Sequence, residues 1–137
     1  MITNVLCLVL VAALSAPAAA ADVQVIANRD IAASELSAAE LKDIFLGNKT
    51  AIGGTAVEPV FEESGTAHQA FLRIYLGKSE SALRNHFKTL VFTGKAAQPK
   101  AFGSDAEVVR YVTRTKGAIG YVSSGADVDG VKKLHVR

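Results

Sequence analysis

Three aromatic-x-Gly steps punctuate the middle of this chain, at Phe45-Leu46-Gly47, Tyr75-Leu76-Gly77 and Phe92-Thr93-Gly94. Glycine takes the left-handed conformation that ends a helix at no steric cost, so each step reads as a stop signal. The segments between them share no further pattern, which makes them three helix ends and not three repeats. Start signals answer the stops. Ser37 with Glu40 forms a capping box before Leu41, Ile44 and Phe45. Ser79 opens a second apolar series, Leu83, Phe87, Leu90 and Val91. A third helix, running to Tyr75, should turn Phe71, Ile74 and Tyr75 inward.

The remaining segments have other periods. "DVQVIAN" (22–28) alternates Val23, Val25 and Ala27 with polar neighbours, the period of a half-buried strand. "AIGGT" reads as a turn or hairpin, and "AVEPVF" (56–61) as a second strand. After a surface loop at 95–103, Ser104 and Glu107 make another capping box. It starts a helix that buries Val108, Val109, Tyr111 and Val112. "GAIGYVSS" and "VKKLHV" close the chain as strands. The order β-α-β-α-α-α-β-β predicts an α/β domain with a mixed central sheet and flanking helices.

Residues 1–21 stand apart. "NVLCLVLVAALSA" is a short apolar stretch running into small residues, with Ala19-Ala20-Ala21 before Asp22. It reads as a signal peptide, which implies a periplasmic or secreted protein with one domain at 22–137. Cys7, the one cysteine, falls inside this stretch. The domain after it therefore has no disulfide, no thiolate metal site and no cysteine nucleophile, and must hold together by its core. Fifteen Lys and Arg against thirteen Asp and Glu leave a net charge of +2. That mild balance, with no basic run interleaved with aromatics, argues against nucleic acid.

Motifs for catalysis and metals fail on spacing. "GKS" (77–79) lacks the upstream glycine of a phosphate loop, and Ser79 as a helix cap explains it. His68, His86 and His135 show no metal-ligand spacing, so neither metal nor cofactor is expected. Ser64 and His68 lie one helical turn apart, but "EESGT" is not a nucleophile elbow, and no enzyme is predicted. Glu62 and Glu63 are adjacent, so in an extended chain they point to opposite sides and make a poor acid/base pair. Asn48-Lys49-Thr50 matches a glycosylation sequon.

Ser64-Gly65-Thr66 has two readings. A turn from strand into helix leaves amide donors free, the helix dipole adds positive charge, and glycine admits a ligand, so an oxyanion can bind there. Alternatively, Thr66 with Gln69 is itself a capping box that consumes those donors.

Three segments in series, "LSAAELKDIFLGNKT" (36–50), Ser64-Gly65-Thr66 and "TKGAIGYVSS" (115–124), resemble the phosphate-binding proteins of ABC transporters. These belong to the type II periplasmic binding-protein superfamily, and this chain is similar to one lobe of the two. The run from Phe92 to Val122 is similar to short exported single-lobe proteins of that kind. The resemblance implies an exported, non-enzymatic binding protein whose Ser64, Gly65 and Thr66 hold phosphate or sulfate through amides and hydroxyls. Two-lobed relatives carry an arginine four residues before the serine, where this chain has Val60. The cationic clamp is therefore missing, and without an opposing lobe to close over it the implied site is open to solvent on one side. The alternative is an envelope protein-interaction or homodimerisation module that has lost the ligand site. Nothing in the residues names a permease partner.

Overall fold

The computed structural model describes residues 23–137. The expected signal peptide lies outside the described residues. In chain order the elements are β1 (Val23–Ala27), β2 (Glu35–Leu36), α1 (Ala38–Phe45), β3 (Ala51–Ile52), β4 (Thr55–Ala56), β5 (Glu58–Pro59) and β6 (Phe61–Glu62). Then follow α2 (Thr66–Phe71), a π-helical turn (Leu72–Leu76), α3 (Glu80–Phe92), β7 (Ala101–Phe102), α4 (Asp105–Arg114), β8 (Ala118–Ser123) and β9 (Lys132–Val136).

The central sheet is mixed, with strand order β2-β9-β1-β8-β5. β1 lies antiparallel between β8 and β9, with Val25 opposite both Tyr121 and Leu134. Both faces are covered. Val23, Val25, Ala27, Ile119 and Tyr121 pack with Leu41, Ile44 and Phe45 of α1, Phe71 of α2 and Phe87 of α3. Ile26, Ala118 and Val122 point the other way, onto Val108 and Val112 of α4. The period of two therefore distributes apolar residues to two cores, and β1 is buried on both sides rather than one. Asn28 ties the end of β1 to the last turn of α4 by donating to the Val112 carbonyl at 2.8 Å.

The capping signals act where the sequence places them. Ser37, Ser79 and Ser104 each accept a hydrogen bond from the amide three residues on. Gly47, Gly77 and Gly94 all have positive φ. Gly53 and Gly54, also at positive φ, form the tight hairpin turn joining β3 to β4.

The segment expected as one strand at 56–61 divides its loyalties. The amides of Glu58 and Val60 bond the carbonyls of Gly117 and Ile119, whereas those of Phe61 and Glu63 bond Lys100 and Phe102. Alternate amides of an extended chain point to opposite sides, so the segment joins β8 first and β7 next. Pro59, with no amide, sits where the second partner has not begun.

The helix leading to Tyr75 corrects the expectation for its buried face. Ile74 is 45% exposed and Tyr75 half-buried, while Leu72 and Leu76 fill the core. The π turn inserts an extra residue into the helical repeat and rotates the apolar stripe onto those two leucines. On α3, Val91 is likewise exposed, and Phe92 projects from the helix end at 93% exposure.

Gly117, just before β8, has φ of 76° and would place a Cβ 2.1 Å from the Ala56 carbonyl oxygen. Gly117→Ala is expected to lower unfolding free energy by about 2 kcal/mol or more, since it combines backbone strain with overlap onto main chain. Denaturant unfolding measures this.

Candidate functional site

The Ser64-Gly65-Thr66 turn lies where β6 hands over to α2. Gly65 is the residue before the helix, with φ 103° and ψ 175°, a conformation open to glycine. Thr66 is therefore the first helical residue and not the cap. The expected Thr66–Gln69 capping box does not form, and no side chain caps this helix. The first intrahelical bond is from the Gln69 amide to the Gly65 carbonyl, 3.1 Å. The amides of Thr66, Ala67 and His68 precede it, at the helical positions that have no intrahelical acceptor.

The turn borders a small pocket of about 210 Å³. Ser64, Gly65 and Thr66 form one wall, and Ser104 and Asp105 at the start of α4, with Ser123 at the end of β8, form the other. The sequence-predicted trio thus sits together in one concavity, and its hydroxyls are exposed. No cationic side chain lines the pocket. Val60, four residues before Ser64, is fully buried against α4.

Glu62 and Glu63 behave as their adjacency demands, one inward and one outward. Glu63 is exposed, and Glu62 retains only 6% exposure. Burial, then the hydrogen bond to Asp105 and the repulsion from that carboxylate, push the Glu62 carboxyl up to about 8. Burial would raise Asp105 as well, but hydrogen bonds from Glu62 and Ser123 outweigh it and hold Asp105 below its usual value. One proton is shared between the two groups, on Glu62, and the pair carries one negative charge at neutral pH. Glu62 Oε1 has no hydrogen-bond partner.

Behind the turn runs a buried polar chain. The Glu62 amide donates to the Tyr121 hydroxyl at 3.0 Å, and that hydroxyl lies 2.5 Å from His68 Nδ1. His68 Nε2 lies 2.5 Å from the Glu80 carboxylate at the start of α3. Because Tyr121 already accepts from an amide, its own proton is free for Nδ1, and Nε2–H then donates to Glu80. Both ring nitrogens of His68 are engaged, so neither takes a proton from Ser64. Burial pushes the Tyr121 hydroxyl up, which keeps it a donor. Phe71 stacks on the Tyr121 ring at 3.9 Å between centroids.

Glu62–Asp105 and Tyr121–His68–Glu80 are partners that the linear sequence does not reveal. The alternation of β8 places Tyr121 on the same face as Ile119, but spacing cannot say that a histidine 53 residues away meets it. Among the described residues no group of three or more His, Cys, Asp or Glu could hold a metal ion. No helix among them is long and apolar enough to cross a membrane.

No protein-family model and no curated protein matches the chain. Solved structures do. An ABC-type phosphate transport receptor from Vibrio cholerae superposes with a TM-score of 0.63 at 18% identity, over 84% of this chain and 46% of that one. A phosphate ABC transporter substrate-binding protein from Clostridium perfringens, solved with bound phosphate, gives 0.64 at 24% identity, over 84% and 44%. PstS from Borrelia burgdorferi gives 0.64 at 15% identity, over 85% and 47%. The chain shares the fold of part of these structures and spans under half their length.

Two outcomes follow for the site's scaffold. Tyr121→Phe strands the Glu62 amide and His68 Nδ1 in the core and is expected to cost about 1–3 kcal/mol of stability in denaturant unfolding. Glu62 holds its proton in the folded state to a higher pH than when unfolded. Its contribution is therefore complete below the ordinary glutamate range and lost as pH rises through about 8. Glu62→Gln should accordingly leave the thermal midpoint little changed near pH 5, yet raise it by roughly a few degrees near pH 9, read by thermal melts.

Proposed function

We propose that this chain is an exported, non-enzymatic binding lobe that takes phosphate or a related oxyanion at Ser64, Gly65 and Thr66. One observation carries the reading. The helix start there has no side-chain cap, and its first residues line a pocket together with Ser64, Ser104 and Ser123. The amides of such a helix start, with the helix dipole behind them, suit a small anion. The bound phosphate in the Clostridium perfringens relative of the fold lends support by likeness.

The electrostatics set the strength. With no cation in the pocket and one net charge on Glu62–Asp105, attraction comes from amide dipoles and hydroxyls alone. The protonation of Glu62 removes the second like charge, without which an anion would face two carboxylates. A dissociation constant on the order of millimolar is expected, about −4 kcal/mol.

A second reading is favoured by the surface of α3. Phe92, at 93% exposure beside the exposed Val91, is an apolar feature suited to an envelope protein partner or a second copy. A stable dimer in light scattering, together with no anion binding, selects this reading.

Calorimetry with phosphate and sulfate tests the first. Binding in the millimolar range that weakens about fivefold or more in Ser64→Ala/Thr66→Ala is the expected result. Binding unchanged in that variant, or no heat and no thermal shift at millimolar ligand, contradicts it.

A further inference from the structure

A concavity wider than the cradle pocket lies beside it. It is an open groove of about 690 Å³ between α2 with its π turn and the start of α3, and Ser64 and Gly65 form the rim that it shares with the cradle. Arg73 from the π turn, Lys78 after the left-handed Gly77, and Arg84 one turn into α3 all line it. None of the three lies within ion-pair distance of a carboxylate among the described residues.

Two carboxylates, Glu63 and Glu80, also line the groove. Glu80 is held at 2.5 Å by the buried His68. The Glu63 carboxylate lies towards Gly103 on the α4 side, within 3.7 Å of where a Cβ on that glycine would be. Glu62 and Asp105 share their proton across the cradle, and Glu107 bonds the Gly103 amide at 2.9 Å. The groove thus sets three cations against two carboxylates, one of which His68 already engages.

We infer that this groove binds a small, multiply charged phosphate, one carrying two or more phosphoryl groups, at Arg73, Lys78 and Arg84. Two guanidinium forks can each engage a phosphoryl group through paired N–H donors, and the lysine adds a point charge. The groove volume lies within the usual range for small-molecule sites, and exceeds what a single oxyanion needs. The Ser64 hydroxyl and Gly65 on its rim extend the polar wall with more donors for phosphoryl oxygens. The site stands whether or not the cradle binds an anion, because none of its three cations lines the cradle.

Titration of the purified protein with tripolyphosphate at low ionic strength, beside orthophosphate, tests this. Tripolyphosphate should bind about tenfold or more tighter than orthophosphate, and weaken as salt rises towards about 0.5 M. Arg73→Gln/Arg84→Gln should lose about tenfold or more of the tripolyphosphate affinity with an unchanged melting profile. If that variant folds poorly, Lys78→Gln replaces it, with a loss of about threefold or more expected. Thr66→Ala, which touches only the cradle, should leave tripolyphosphate binding as it was. Tripolyphosphate binding with no orthophosphate binding would retain the groove and remove the cradle. Unaltered tripolyphosphate affinity in the charge variants overturns the inference. So does equally tight binding of a glutamate oligomer of matched charge, which would mark undirected attraction.

Discussion

Tyr121 is the residue on which the rest of this structure depends. Its ring is fully buried, stacked on Phe71 and within 5.9–6.1 Å of Phe45 and Phe61, so it joins the central sheet to α1, α2 and β6. Its hydroxyl does a second job. A phenol in a core must find partners, and this one finds the Glu62 amide on one side and His68 on the other. The first contact fixes the strand entering the Ser-Gly-Thr turn, and the second fixes the helix leaving it. The turn is held from beneath, so its upper side can remain uncapped. His68 then passes the constraint to Glu80 and orients the start of α3.

That arrangement also explains the electrostatic layout. A carboxyl buried as deeply as Glu62 cannot stay ionised beside Asp105, and it resolves the conflict by keeping a proton. The cradle then carries one negative charge, on Asp105, instead of two, and no cation lines it to offset that charge. The cations of this region lie instead along the wider groove, where Arg73, Lys78 and Arg84 have no buried partner to satisfy. This chain therefore presents two chemically different concavities that share Ser64 and Gly65.

Much of this was legible in the residues. Serine caps and glycine stops report on backbone bonds made within four residues, and these local signals located α1, α3 and α4. The alternation of β1 and β8 gave strands, though not that both faces would be covered, because that depends on where α4 packs. The π turn escaped notice since its cause is tertiary: Leu72 and Leu76 reach the core only if the helix widens. Thr66 and Gln69 had the spacing of a cap, yet Gly65 took that place by adopting a conformation denied to other residues. The trio at 64–66 was singled out by its hydroxyls and glycine at a helix start, together with a family resemblance. Glu62–Asp105 and Tyr121–His68–Glu80 were not, because their members come from distant segments that only the fold brings within hydrogen-bond reach.

The central claim is that the amides at the start of α2 are free to meet an anion while their scaffold stays fixed. A phosphate titration followed by amide nitrogen–proton NMR addresses it directly. The account predicts saturable shifts of the Gly65, Thr66 and Ala67 amide resonances, with the Glu62 amide, held by Tyr121, moving little. Shifts absent at these amides at millimolar phosphate, or spread evenly over the basic surface, would contradict it.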